Sequence, residues 1–437
     1  MVFDDMRRPR ASMATADIPF RQAPRPRWLL VLQARMWRFL MSIGMFLHKL
    51  ARPRPPSPDF KQWVDATVSP RPGRFRLNFY VPKEWKEARR LQTNRKFPVV
   101  VNFHGGGFTL GKATDDCRWC KTVVDEVGAV VVSVDYRLAP ECPFPTAVED
   151  GADAILYLVS HANQLNLDTD NIAVSGFSSG ANMCFTVPLR LLEELEMQIA
   201  RGEDHRKSVI LGQRPPLQKS LSEGRVLVKA KKQIRVKAVC AWYPPTDYTR
   251  TRAQRKATCA RLDQQLPAVF TELFDESYLS PPTMDMSNPY LSPGVAPDYM
   301  LASMPNEIIL FCCEWDMLLQ EGTEFRDRLR ALGKTVHYHM VPQVPHGWDK
   351  APNPLRVTPG VREQYLKACT ELKRLLVAQE PLSDVDSGFA EASFEMPDEA
   401  GISTPEQAHL SPVSSTQPFI IPEQDFRTSW FRTSWTG

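Results

Sequence analysis

A serine hydroxyl is a weak nucleophile at neutral pH, and it becomes reactive when an imidazole takes its proton and a carboxylate orients that imidazole. One serine in this chain has a setting suited to that chemistry. Ser178 stands in Gly176-Phe177-Ser178-Ser179-Gly180, after the apolar run 171–175 and before the helix-like stretch 181–195. A strand that turns sharply into a helix through Gly-x-Ser-x-Gly exposes its serine at the tip of the turn. Residues without a Cβ at −2 and +2 are what let strand and helix pass so closely.

The partners should follow in the order serine, acid, base, each after a later strand. Asp316 in Glu314-Trp315-Asp316-Met317-Leu318 follows the apolar run 307–313, and His346 in Val344-Pro345-His346-Gly347-Trp348 follows the run 336–341. Of the eight histidines, His346 is the one in a loop at the carboxyl end of a late strand. Glu314 and Asp349 are weaker candidates for the acid. A tetrahedral intermediate also needs donors for its oxyanion, and a glycine run after a strand turns bare amides toward a cleft. His104-Gly105-Gly106-Gly107-Phe108 is such a run. The amides of Gly106, Gly107 and Ser179 are the expected donors, with His104 anchoring the loop.

Several elements must hold these groups. Residues 64–68 and 74–81 read as an antiparallel pair, since Phe75, Leu77 and Phe79 alternate with Arg74, Arg76 and Asn78. Buried strands at 97–103, 129–134, 171–175, 234–243, 307–313 and 336–341 alternate with helices at 147–165, 181–195, 321–332 and 361–377. That rhythm predicts a mostly parallel sheet with helices on both faces and an antiparallel pair at its start. A polar, basic insertion at 190–232 interrupts it, and 250–305, with Leu266, Phe270, Leu273 and Phe274 at helical spacing, suits a cap over the cleft.

Length and composition agree with one large catalytic domain over about 60–378 plus appendages. The 437 residues carry a net charge of +4, but residues 1–54 hold eleven Arg or Lys against three Asp, and 379–437 hold ten acids against two Arg. Disorder is expected for the basic segment 1–27 and for the acidic, Pro- and Ser-rich tail from Gln379, which contains a duplicated Phe-Arg-Thr-Ser-Trp. Between them and the domain, 28–50 is apolar enough to suggest a membrane span. Arg35 and Arg38 near its middle would each cost about 2.5–3.5 kcal/mol there. On a helical wheel Arg35, Arg38, Ser42 and Lys49 share one face, opposite Leu29, Leu30, Met36, Trp37, Leu40, Ile43 and Leu47. An amphipathic helix over 28–54 fits two placements, lying in a membrane surface or packing on its own domain. The protein is accordingly expected inside the cell, either peripheral on a membrane or soluble in the cytoplasm.

Nine cysteines, an odd number without framework spacing, read as reduced thiols. The pair Cys117 and Cys120 has no second Cys-x-x-Cys, and His337 and His339 alternate on a strand without further ligands. No metal or cofactor is therefore expected. Nucleic acid is not expected either, because no basic groove interleaved with aromatics is present.

In combination, HGGGF at 104–108, YRLAPE at 136–141, GFSSG at 176–180, EWDML at 314–318 and PHG at 345–347 resemble the hormone-sensitive-lipase-like esterases, the HGGG branch of the α/β-hydrolase fold. The resemblance runs from about Lys96 to Leu376. It implies a carboxylester hydrolase with Ser178 as nucleophile, His346 as acid and base, Asp316 as orienter, and an N-terminal cap. Phe177 and Ser179 depart from the family's usual Asp before and Ala after the nucleophile. Phe177 would then stand beside the nucleophile, and Phe108, Phe177 and Trp242 fit two placements, near the cleft, where they would favour a hydrophobic ester, or in the core. An amide or acetyl substrate fits the same triad. A ligand receptor on this scaffold is the rival from another class, and the presence of His346 argues against it.

Overall fold

The computed structural model describes residues 25–210, 234, 236–351, 353 and 355–377. The expectations for 1–24, for 211–233 of the insertion and for the tail from Gln379 lie outside these residues.

Eight strands form one sheet: β1 (Phe60–Asp65), β2 (Arg74–Tyr80), β3 (Phe97–Phe103), β4 (Val130–Asp135), β5 (Leu167–Phe177), β6 (Val236–Trp242), β7 (Glu307–Cys313) and β8 (Thr335–Val341). Their spatial order is β1-β2-β4-β3-β5-β6-β7-β8. β1 pairs antiparallel with β2 and β2 antiparallel with β4, and every later pairing is parallel. The fold is thus an α/β-hydrolase sheet, eight-stranded and mostly parallel, flanked by helices. Val99, Val101, Val130, Val132 and Val134 are buried on one face and Val100, Val131 and Ala173 on the other, so the central strands meet solvent on neither side. Such strands need helices on both faces. Burying each of these valines contributes about 1.5–3 kcal/mol.

On one face lie α4 (Thr146–Ser160), α5 (Ser179–Ile210) and α9 (Leu319–Ala331); on the other lie α3 (Cys117–Val127) and α10 (Val361–Leu376). α2 (Lys83–Arg90) follows β2. α5 begins at the elbow and continues into the stretch read as an insertion. Polar side chains inside the sheet satisfy one another: Ser175 Oγ donates to Asn102 Oδ1, Asn102 Nδ2 donates to Asp116, and Trp119 Nε1 donates to Ser175 Oγ. A buried polar chain completed in this way stiffens its surroundings.

Above the carboxyl ends of the strands sit α6 (Arg252–Ala257), α7 (Ala268–Tyr278) and the N-terminal helix α1 (Arg27–Leu50), whereas α8 (Asp298–Ala302) lies near the amino ends of β7 and β8, where Lys334 donates to the Ala302 carbonyl. α1 packs on α7 through the ring of Trp37 against Phe270, 4.6 Å between centroids. Leu30, Ala34, Met45 and His48 face the domain and are buried. The opposite face presents Trp28, Leu32, Met36, Phe39, Ile43 and Phe46 to solvent. The expected division of faces therefore changes in detail. Leu30 and Trp37 turn inward, and Arg38 and Lys49 meet the domain: Arg38 donates to Glu141, and Lys49 Nζ lies 3.7 Å from Asp115.

Candidate active site

The turn between β5 and α5 is as crowded as its glycines suggest. A Cβ on Gly180 would lie 2.0 Å from the carbonyl oxygen of Phe103, and one on Gly176 would lie 2.4 Å from the carbonyl oxygen of Gly180. Ser178 at the tip has φ +53°, a conformation that non-glycine residues rarely adopt and that functional turns hold under strain. It is held by its amide, which donates to the carbonyl of Trp242 at 2.9 Å, and by its carbonyl, which accepts from Asn182 at 3.0 Å as the first bond of α5.

The loops after β7 and β8 bring the expected partners together. His346 Nε2 is 2.8 Å from Ser178 Oγ, and His346 Nδ1 is 2.6 Å from Asp316 Oδ2. Asp316 is buried, and its other oxygen accepts the amide of Leu318 at 3.0 Å. With Nδ1–H donated to the carboxylate, the lone pair of Nε2 faces the serine, which is the tautomer that can accept its proton. The competing acids are engaged elsewhere. Glu314 accepts the amide of Gln343 at 2.7 Å, and Asp349 accepts the hydroxyls of Tyr243 and Tyr365, both at 2.5 Å.

The glycine loop closes over the elbow. Gly106, Gly107 and Phe108 have φ of +121°, +60° and +56°. The amides of Gly106, Gly107 and Ser179 donate to no acceptor among the described residues. A Cβ on Gly105 would meet the Phe177 carbonyl oxygen at 3.0 Å. His104 is the expected anchor: its ring stacks on Tyr136 at 4.2 Å, its Nδ1 lies 2.8 Å from the Gly105 carbonyl, and its own carbonyl accepts the Tyr136 hydroxyl at 2.7 Å.

A cleft opens above Ser178 and His346, with Gly107, Phe108, Tyr248, Phe274, Tyr278 and Trp315 in its walls. Phe108 stacks on Tyr278 at 3.8 Å. Phe274 of α7 lies so close that a Cβ on Gly107 would come within 2.2 Å of its ring. The one charged side chain from α6 that approaches without full burial, Arg252, is neutralised by a forked pair with Asp275 at 2.7 and 2.8 Å. The walls thus suit an apolar group beside a reactive hydroxyl.

Of the two placements open to Phe177 and Trp242, the structure takes the core. Phe177 and Trp242 lie under the strand ends and not in the cleft, buried among Trp119, Phe311 and Tyr365. Phe177 therefore puts no bulk beside the hydroxyl of Ser178. Its ring instead carries the Lys350 ammonium, 3.7 Å above its centroid. Sequence reasoning also missed Tyr243, whose ring meets the His346 imidazole edge-to-face at 4.8 Å, and Lys350, which pairs with Asp349 and Asp116 at 2.9 and 3.1 Å. The available signal was the adjacency of Asp349 and Lys350 to the histidine loop. Among the described residues no cluster of His, Cys, Asp or Glu could hold a metal ion, and all nine cysteines are free thiols. Cys117 and Cys120 are buried in α3.

Known proteins with this arrangement can be compared directly. A family model described as alpha/beta hydrolase fold matches residues 100–211 and 221–350. Lipase 2 of Moraxella sp. is 28% identical over 65% of this chain and 62% of its own length. Human arylacetamide deacetylase-like 2 is 26% identical over 76% and 85%, and human hormone-sensitive lipase is 39% identical over 23% and 10%. The match thus spans under two thirds of Lipase 2 and a tenth of the human lipase. Among solved structures, a thermostable carboxylesterase cloned from a metagenomic library superposes with a TM-score of 0.58 at 26% identity, covering 78% of this chain and 97% of that one. An esterase from Pseudomonas putida gives 0.59 at 22% identity over 82% and 94%, a likeness of fold. With more than half of its length in the family model and the glycine loop, elbow and histidine loop at one sheet edge, the chain belongs to the α/β-hydrolase fold family, in its hormone-sensitive-lipase-like esterase branch.

Proposed function

We propose that the protein is a serine hydrolase of carboxylic esters with a hydrophobic acyl or alcohol part. The observation that carries this reading is the unbroken relay from Asp316 through His346 to Ser178, at 2.6 and 2.8 Å, with the amides of Gly106, Gly107 and Ser179 donating to no acceptor among the described residues. Ser178 Oγ attacks the carbonyl carbon as its proton passes to His346 Nε2. The π electrons move to the carbonyl oxygen, which the amides of Gly106, Gly107 and Ser179 receive. Loss of one such donor typically costs about 3–4 kcal/mol in the barrier. Collapse expels the alcohol, which takes the proton from Nε2, and the acyl group stays on Oγ. Water, giving its proton to Nε2, then releases the acid and restores the serine. Asp316 holds the imidazole and stabilises its charged form throughout.

The reading is tested with p-nitrophenyl esters from acetate to decanoate, wild type beside Ser178→Ala and Asp316→Asn. Expected are loss of turnover in the first variant and a fall of about 10⁴-fold in the second. A folded Ser178→Ala protein that still hydrolyses the esters would sink the proposal. The name of the deacetylase-like human relative favours one second reading, hydrolysis of aryl acetamides, and p-nitroacetanilide belongs in the same assay.

The outward apolar face of α1 supports a peripheral place on a lipid surface. An in-plane helix buries such a face about 5–10 Å into the headgroup boundary, and the contacts of Arg38, His48 and Lys49 with the domain keep this helix alongside it. Sedimentation with phosphatidylserine-containing vesicles should carry the protein down, and Leu32→Ser with Phe39→Ser and Phe46→Ser should release it. Equal sedimentation of both would leave α1 as a cap only.

A further inference from the structure

The glycine loop has three consecutive residues at positive φ, and such a conformation persists only where its surroundings over-determine it. Bonds within the loop supply part of that restraint. The amides of Thr109 and Leu110 donate to the Gly106 carbonyl at 3.1 and 2.8 Å, and Thr109 Oγ1 donates to the Gly107 carbonyl at 3.0 Å. The amide of Ala139 donates to the Phe108 carbonyl at 2.9 Å, joining the loop to the following Ala139-Pro140-Glu141 turn.

A further restraint arrives from α1. Arg38 Nε donates to the Thr109 carbonyl at 2.8 Å, and its Nη2 donates to the Ala139 carbonyl at 2.7 Å. The same guanidinium forks onto both oxygens of Glu141, at 3.0 and 2.9 Å. One planar group therefore fixes both segments that frame Gly106 and Gly107. A fork of this shape is specific to arginine, since an ammonium offers a point charge without fixed donor directions. Burial pushes the Glu141 carboxyl up, but Arg38 outweighs it and holds the group below the usual carboxylate range.

We propose that Arg38 is a positioning residue for the oxyanion-binding loop, so that α1 is part of the machinery of the site as well as its cover. The inference rests on the serine-hydrolase reading above. An anchor that merely fastened α1 would leave the loop's donors where they are. A positioning residue sets where those amides point, and a displacement of about 1 Å at such donors can cost on the order of 10²-fold.

The test uses the full-length chain without lipid, a soluble ester (p-nitrophenyl butyrate), and an alkyl trifluoromethyl ketone whose adduct on Ser178 places its oxygen between the loop amides. Arg38→Met should lower kcat by about 10- to 100-fold at a KM within twofold, and raise the ketone's inhibition constant in the same proportion. Arg38→Lys, which keeps a charge for Glu141 and loses the fork, should fall between. For Arg38→Ala, added guanidinium chloride at millimolar concentration should restore part of kcat, a rescue that a purely structural loss would not show. Lys49→Met removes a tie between α1 and Asp115 without touching the loop carbonyls, and should leave both constants unchanged. If kcat and the inhibition constant of Arg38→Met and Arg38→Lys stay within twofold of wild type, the proposal is overturned, including where vesicle binding alone declines. Failure of the hydrolase reading itself is separate, because it appears as Ser178→Ala equal to wild type.

Discussion

The cleft has a floor and a roof built on different physics. The floor is the strand ends of β5 and β6 with the histidine loop, where Phe177, Trp242, Tyr243 and Tyr365 are buried against one another and the Asp349 carboxylate is enclosed by two phenols and Lys350. The roof is α1, α6 and α7, whose contacts are half-exposed rings and ion pairs such as Arg252 with Asp275 and Trp37 with Phe270. Ser178 and His346 grow out of the floor, and Phe274 leans in from the roof. In the proposed reaction the contrast divides the labour: the floor, with the Arg38 tie from α1 to the glycine loop, fixes the reacting groups, while α6 and α7 select what reaches them.

The strongest way to break that division is to remove charge from the floor. Lys350→Met leaves Asp349 and Asp116 without their shared cation and should cost about 3 kcal/mol, read as a lower urea midpoint, with kcat falling while KM holds. Next comes acid. Burial pushes the imidazole of His48, which donates to the Ala351 carbonyl, down to about 4. An unfolded chain takes up that proton near pH 6.5, so the folded state loses stability as pH falls from above 6.5 toward 4, by about 2 kcal/mol at pH 5. Trypsin should cut within α1 faster at pH 5 than at pH 7, and His48→Gln should flatten the difference. The floor responds at lower pH. Burial raises the Asp349 carboxyl, but Lys350, Tyr243 and Tyr365 more than offset this and hold it below 3.8. Its contribution is full above that value and is lost as pH falls through the depressed folded one.

A smaller effect is expected for Tyr243→Phe, which strips a donor from a buried carboxylate. It should cost about 1–2 kcal/mol, lower kcat through the less firmly held imidazole, and leave chain-length preference alone. The smallest belongs to the roof. Phe274→Ala should leave kcat for p-nitrophenyl acetate within about twofold and improve kcat/KM for bulky acyl groups by roughly tenfold, the scale of one or two methylenes in an apolar pocket. An α6 or α7 variant that changes kcat for every ester alike, or a floor variant that changes acyl preference, would contradict the comparison.

The sheet, the elbow, the glycine loop and the order of Ser178, Asp316 and His346 were legible because each rests on local rules: apolar runs of strand length, glycines where a Cβ cannot fit, and loops after successive strands. What was not legible depended on which way a buried strand faces. Phe177 follows Ala173 and Ser175 at period two, and Trp242 follows Ala238 and Cys240, so both belong to the face covered by α3 and α10. In a strand buried on both sides no polar alternation marks which face is which. The orientation of α1 escaped for a related reason. Its basic stripe left two placements open, and Arg38 decides between the faces by finding carbonyls and Glu141 on the domain, which leaves much of the apolar stripe outward.

The closeness of Phe103, Gly176 and Gly180 also bears on how the elbow carries information. If positions 176, 178 and 180 are randomised together and the library is selected for folding alone, with no demand for catalysis, 176 and 180 should still return glycine. A side chain at 180 must displace the backbone of β3, and one at 176 must displace the start of α5. Position 178 should drift freely among residues that tolerate its backbone angles. The two glycines are therefore written by architecture and the serine by chemistry, and a sequence that keeps only the glycines records a fold whose reaction has been lost.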